Sequence, residues 1–254
     1  MRFKAFLKDI KWRYHNLGIQ KTDCGTRLKI NSFMDHLVFK EIFTDKIYDE
    51  FILRTLKKNS KNNEPRRVFD IGANLGFFTI RCCELWKQLG MNADLDFIIY
   101  EPSDNCIGRL KENLKAFDQK NFSFDIRNKL VGKKSGWDWF IEDKDNHLGQ
   151  CVSEEIKSVG KRHTRKVMYH DLSEDLYNYK IDLIKCDIEG SEVEFLKSYT
   201  GMLDNVFSII IETHGNDSKD FVCSQLKKND FVLYDKSELN SENLFNNLFF
   251  IKET

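Results

Sequence analysis

Proline is almost missing from this chain of 254 residues, which has only Pro65 and Pro102. No Pro/Gly/Ser-rich linker divides it, so the length predicts one large domain with short additions rather than two domains. Long apolar runs are missing as well. None approaches the roughly 20 residues of a membrane span, and the opening "MRFKAFLKDIKWRYHNL" is too interrupted by charge for a secretory signal. A soluble, cytoplasmic protein is expected. Excess charge is absent too: Lys+Arg 40 balance Asp+Glu 40, which removes the global footprint of a nucleic-acid binder while leaving room for a local basic patch. The seven cysteines (Cys24, Cys82, Cys83, Cys106, Cys151, Cys186, Cys223) form no C-x-x-C pair. Zinc binding and dithiol chemistry are thus unsupported, and small thiols in a reducing compartment are expected.

Against these absences stands "RRVFDIGANLGFFTI", residues 66–80. Apolar Val68, Phe69 and Ile71 predict a buried strand, Gly72 and Gly76 bracket a turn, and a helix is expected from Phe77 to Leu89. Strand, glycine turn and helix aim backbone N–H groups at a ligand. The theme recurs in "LDFIIYEP", in "YKIDLIKCDIEGSEVEFLKSY" and in "VFSIIIETHG". Helices are expected at about Asp45 to Lys57 and at 104 to 117, and "FSFDIRNKLVG" reads as one strand. "FVLYDK" and "LFNNLFFIK" suit an antiparallel pair at a sheet edge.

Strands alternating with helices predict a Rossmann-like α/β fold, a mostly parallel sheet with helices on both faces and ligands at the carboxyl ends of the strands. Asp70, Glu101, Asp187 with Glu189, and Glu212 with His214 all fall at such ends. From 133 to 171 the alternation breaks, and "GWDWFIED" with "TRKVMYHDL" predicts an inserted β-hairpin or flap beside the site. Its "KRHTRK", residues 161 to 166, is a solvated tip or a grip on an anionic substrate group. Residues 1–44 are expected as a helical extension. Phe3, Phe6, Leu7, Ile10 and Tyr14 share one face of its first helix, which packs on the domain or a partner, or makes a peripheral membrane contact.

The glycine turn also limits the ligand. Counting from Gly72, the third and sixth positions are Asn74 and Phe77 rather than glycine, and Glu101 lies 31 residues beyond Asp70. A nicotinamide dinucleotide therefore fits poorly. No lysine follows Gly76, so a phosphate-binding Walker loop is absent. A ligand with a ribose and a charged amino-acid end, but no phosphates, fits S-adenosylmethionine.

"VFDIGANLGFFTI", the "EP" after an apolar strand, "IDLIKCDIEGSEVEFLKSY" and "IIIETHG" resemble the FkbM family of S-adenosylmethionine-dependent methyltransferases, over about Tyr48 to Gly215. The resemblance implies a seven-stranded sheet with an antiparallel edge. It implies that Asp70, Gly72, Ala73, Asn74, Gly76 and Phe77 wrap the methionine part of the cofactor, that Glu101, followed by Pro102, accepts from the ribose hydroxyls, and that Val131 and Gly132 run beside adenine. Asp187 is expected in the same site. By family analogy, the acceptor class is a sugar or glycan hydroxyl, or a related small molecule that could be anionic.

A sulfonium methyl is already electrophilic, so the protein has to align donor and acceptor and remove a proton. Asp187, Glu189, Glu212 and His214 are the candidates, with His214 favoured as base because imidazole titrates near neutrality. Should Asp187 and Glu212 converge, a divalent metal that lowers the acceptor's pKa is the alternative. Neither proline precedes a cysteine and no proline pair flanks an aromatic residue, which disfavours nucleobase methylation. RNA ribose methylation, supported only by "KRHTRK", and a non-catalytic cofactor-binding partner subunit are the competing readings.

Overall fold

The computed structural model describes residues 17–57, 65–117, 121–143, 152–153, 162–234 and 245–252. Apart from Leu17, the amphipathic opening segment lies outside them. The first described elements are a hairpin of β1 (Gly18–Lys21) and β2 (Arg27–Ile30), helix α1 (Phe33–Phe39), a single π-turn (Lys40–Thr44) and helix α2 (Asp49–Lys57). The stretch expected as a helical extension thus contains a β-hairpin. The helix expected from Asp45 starts four residues later, because the Asp45 amide closes the π-turn onto the Lys40 carbonyl at 2.8 Å and Lys46 adopts φ +57°.

Next come β3 (Arg66–Ile71), α3 (Phe77–Gln88), β4 (Leu95–Tyr100), α4 (Asp104–Leu114) and β5 (Phe122–Arg127). The single strand expected over "FSFDIRNKLVG" is instead two: β6 (Leu130–Val131) leaves the sheet after β5 and joins a different one. Asn128 makes the break, with its side-chain amide donating to the carbonyls of Glu101 and Pro102 at 3.3 Å each. Strands β7 (Trp137–Asp143), β8 (Val152–Ser153) and β9 (Arg162–His170) follow, with β7 antiparallel to both β8 and β9. The chain continues through α5 (Ser173–Asn178), β10 (Leu183–Cys186), α6 (Glu192–Tyr199), β11 (Ser208–His214), α7 (Asn216–Lys227), β12 (Phe231–Leu233) and β13 (Phe245–Lys252).

Seven strands form the main sheet in the order β12-β13-β11-β10-β3-β4-β5. β13 is antiparallel to both its neighbours and the other described pairings are parallel. The chain winds outward from β3 to β5 and then returns to β10, so the winding reverses between β3 and β10, where α/β sheets place their ligands.

Period-two alternation sends the central strands into two cores. Val68, Phe97, Leu183, Ile210 and Phe249 join a core with α2, α3 and α4, whereas Phe69, Ile98, Ile184, Ile209 and Phe250 face α5, α6 and α7. Both faces are covered, as a parallel sheet requires. Each fully buried Leu, Ile or Phe contributes about 1.5–3 kcal/mol.

One polar knot ties the leading segment to this core. Arg81 on α3, 1% exposed, donates to Asp49 of α2 at 2.8 Å, to Asp23 of the β1–β2 turn at 2.7 Å and to Glu84 at 2.9 Å. Glu84 in turn accepts from the Thr22 hydroxyl at 2.5 Å.

Candidate active site

The same alternation that builds the first core lays a polar row above it. Continuing each strand by two residues, Val68 gives Asp70, Leu183 gives Lys185 and then Asp187, and Ile210 gives Glu212. On β13 the residue two before Phe249 is Asn247. Register places Asp70 opposite Lys185 and Glu212 opposite Asn247, so the row crosses the adjacent strands β13, β11, β10 and β3 at their site-facing end.

At the winding reversal, Lys185 Nζ donates to the Gly72 carbonyl at 2.7 Å and meets Asp187 at 3.1 Å and Asp70 at 3.8 Å. Burial alone would lower the lysine pKa, but the two carboxylates outweigh it and hold the ammonium charged. Asp70 is wholly buried and accepts from Thr79 at 2.7 Å; its burial raises its pKa against the pull of Lys185. Sequence reading singled out Asp70 and Asp187 but missed Lys185. A lone cation in the apolar "IDLIKC" was the available signal.

The glycine turn is shaped mostly by the chain itself. The amides of Gly72 and Ala73 both donate to the Tyr100 carbonyl, at 2.9 and 3.0 Å, and Gly76 N–H donates to Ala73 at 2.8 Å. A Cβ on Gly72 would lie 1.8 Å from the Asp187 carbonyl oxygen, so glycine is required there by the crossing of two backbones. Phe77 is also structural: its buried ring packs edge-on to Phe39 and Phe43, turning the side chain away from the turn.

Glu101 closes the turn from the β4 side. Its two oxygens accept from the amides of Asn74 and Ser103, each at 2.7 Å. Burial lifts its pKa to about 7, opposed by those two donors. A carboxylate accepts about four hydrogen bonds, which leaves capacity for a pair of hydroxyls. Pro102 follows and is half-buried. Val131 pairs with His170 of β9, and Gly132 N–H donates to the His170 carbonyl at 3.1 Å, which fixes the segment expected beside adenine at the base of the flap.

On the other side, half-buried Glu212 is pushed up to about 8, chiefly by burial and then by the Asp187 charge. His214 donates from Nδ1 to Glu192 at 2.7 Å and from Nε2 to Glu189 at 3.2 Å. Burial would lower its pKa, but the two carboxylates push it up to about 10. An imidazolium with both nitrogens engaged is poorly suited to act as a base near neutrality. Glu189, at φ +50°, is held within this clamp.

Glu41, Tyr48 and Asn247 were not singled out by motif or spacing. The buried Tyr48 hydroxyl lies 3.1 Å from Asn247 Oδ1 and 3.4 Å from Glu41 Oε1, and the Asn247 amide donates to Glu41 at 3.4 Å. Glu41 and Tyr48 thus meet Asn247, the β13 member of the polar row.

The residues do not fit a divalent ion at Asp187 and Glu212. Lys185 already sits against Asp187, and among the described residues only Asp23, Cys24 and Glu84 bring three ligand atoms within 4.8 Å of one another, with Arg81 bonded to both of those carboxylates. A cavity of about 640 Å³ lies beside that trio, lined among others by Arg27, Lys87 and Phe117 and by none of the polar row.

Within "KRHTRK", Lys161 and the side chains of Arg162 and His163 lie outside the described residues. Arg165 pins the flap: it pairs with Glu142 at 3.2 Å and Asp104 at 3.1 Å and donates to the Pro102 carbonyl. Lys166 stands 5.3 Å over the Trp139 ring. The arginine is therefore engaged inside the protein. No helix among the described residues is long and apolar enough to cross a membrane.

Comparison with known proteins finds methyltransferases. At 22% identity over 173 residues, the chain is similar to the hexuronic acid methyltransferase AglP of Haloferax volcanii; the alignment takes in 68% of this chain and 65% of that protein's length. It is 24% identical over 204 residues to the methyltransferase sdnD of Sordaria araneosa, covering 66% of this chain and 70% of that one. A crystal structure of an FkbM methyltransferase from Methylobacillus flagellatus KT overlays with a TM-score of 0.49 at 11% identity, over 83% of this chain and 60% of that one. The methyltransferase FkbM domain matches residues 70–233, more than half of the 254, and the chain belongs to the FkbM methyltransferase family.

Proposed function

We propose that this methyltransferase uses S-adenosylmethionine to methylate a hydroxyl of a sugar or glycan. The observation that carries the reading is Glu101, fixed by the Asn74 and Ser103 amides at 2.7 Å beside a glycine turn at the winding reversal. Such a carboxylate suits a pair of ribose hydroxyls. The turn from Gly72 through Ala73, Asn74 and Gly76 would hold the methionine part, with Asp187 at its amino group and Val131 and Gly132 beside adenine. Asp70 acts indirectly, by orienting Lys185 and Thr79. The similarity to a hexuronic acid methyltransferase supports a sugar as acceptor.

The cofactor supplies an electrophilic methyl on sulfur. The protein's own work is to align the acceptor hydroxyl and to take its proton. Glu212, whose pKa of about 8 is matched to neutral conditions, is the proposed proton acceptor, with Asp187 beside it. His214 keeps Glu189 and Glu192 in place. No step is assigned to a metal.

Calorimetry with S-adenosylmethionine and methyl transfer from the labelled cofactor to a panel of sugars test the reading. Saturable binding that Glu101→Ala weakens, with transfer to at least one sugar, is the expected result. Undiminished binding by a folded Glu101→Ala variant would remove the carboxylate from the cofactor site. Transfer confined to RNA 2′-hydroxyls would replace the sugar.

A further inference from the structure

The polar row is crowded with like charge. Asp70, Asp187 and Glu212 lie on it with Lys185 as their cation, and Glu41 stands close enough for Asp187 to raise its pKa and for Lys185 to lower it. Asp70 Oδ1 is buried without a hydrogen-bond donor and faces Lys185 Nζ at 3.8 Å. Next to the row, His214 sits between Glu189 and Glu192, again one cation to two carboxylates. Carboxylates outnumber cations at this end of the sheet, although the chain as a whole is neutral.

Asn247, the β13 member of this row, and the two residues that roof it lie outside the matched family segment. Glu41 comes from the π-turn, Tyr48 from the approach to α2 and Asn247 from β13, whereas the family match covers 70–233. They are joined to one another through the Tyr48 hydroxyl and the Asn247 amide. Asn247 lies opposite Glu212 across β11 and β13, which brings the roof to the proposed proton acceptor. The family match covers the cofactor turn, and residues over the reacting end are what distinguishes one acceptor from another.

We propose that Glu41, Tyr48 and Asn247 form the acceptor-recognition wall, and that the carboxylates they face select an uncharged or basic sugar over an acidic one. The proposal rests on the methyltransferase reading of this site. An amine on the acceptor adds a counter-charge beside Glu41 and Glu212, which otherwise share Lys185 with Asp70 and Asp187. A neutral polyol accepts from the Asn247 amide and donates to Glu41. A uronate brings a further negative charge beside Asp187 and Glu212 and has to be desolvated against them. Burial and, after it, the Asp187 charge shift both Glu41 and Glu212 upward, Glu212 to about 8, and the charge part of that shift reflects the same excess.

The full chain, labelled with ¹⁵N, is titrated with glucosamine, methyl glucoside and glucuronate while the Asn247 side-chain amide and the Gly72 and Asn74 backbone amides are followed by NMR. Glucosamine or methyl glucoside should move the Asn247 signals with an apparent affinity about tenfold or more above that of glucuronate. Glu41→Gln, which keeps the shape and removes one charge, should narrow the gap, and Asn247→Asp should widen it. Equal or tighter binding of glucuronate, or no shift at Asn247 with any of the three sugars, overturns the proposal. S-adenosylhomocysteine, added to the same samples, reports at Gly72 and Asn74. Silence there with a sugar response at Asn247 sinks the cofactor reading and not the wall, and the reverse pattern sinks the wall alone.

Discussion

Lys185 Nζ donates to the Gly72 carbonyl at 2.7 Å, tying β10 to the turn that leaves β3 at the point where the sheet reverses its winding. The same ammonium serves Asp187 and Asp70. Lys185→Met keeps much of the aliphatic stem but leaves two carboxylates facing each other. Removing one partner of a buried ion pair costs about 3–5 kcal/mol, and urea denaturation should find a loss of that size at pH 8. The loss should shrink as the pH is lowered, because burial already shifts Asp70 towards its neutral form and removing the ammonium shifts it further.

Cofactor affinity should follow the charge of Glu101. Its pKa stands at about 7 in the unliganded protein, and donated hydroxyls stabilise the ionised form. Calorimetry should therefore show S-adenosylmethionine binding weaken between pH 8 and pH 6. Glu101→Ala should reduce affinity by about 1.5–3 kcal/mol and abolish that pH dependence.

Gly72 and Gly90 make a controlled pair, since both have positive φ, +77° and +63°. An added Cβ at Gly90 meets nothing within 4 Å, while at Gly72 it would lie 1.8 Å from the Asp187 carbonyl oxygen. Gly90→Ala should cost only about 1 kcal/mol of backbone strain. Gly72→Ala has to push β3 and β10 apart, and its thermal unfolding midpoint should fall several times further or the variant should not fold.

The His214 clamp has a signed pH signature. The folded pKa of about 10 lies above the unfolded value of 6.5, so the stabilisation is complete below pH 6.5 and fades as pH rises towards 10. His214→Ala should lose roughly 1.5–3 kcal/mol at pH 6 and much less at pH 10. A variant equally destabilised at both pH values would show that packing, not charge, holds the imidazole.

The acidic strand ends were legible because each follows an apolar run and precedes a turn. Asp70, Glu101, Asp187 and Glu212 could be found that way without knowing the strand order. Glu41, Tyr48 and Asn247 could not, since their meeting depends on β13 returning to lie antiparallel beside β11, a pairing between residues far apart in sequence. His214 illustrates a different limit. Its position at a strand end was readable, but its chemistry is set by Glu192, the first residue of the helix on the preceding connection, between β10 and β11. The β1–β2 hairpin escaped notice because strands of four residues are too short for alternation to stand out.

Arg81 has a consequence for what counts as a self-sufficient unit here. Two of its three carboxylates, Asp23 and Asp49, precede the family match that begins at residue 70, and only Glu84 lies within it. The shared segment by itself would bury a guanidinium in its first helix with one of its three carboxylate acceptors and its other N–H groups unpartnered. In this protein the leading hairpin works as a plug for that helix, so a relative lacking such a hairpin has to carry a different residue where Arg81 stands, or bring an acid to it from elsewhere.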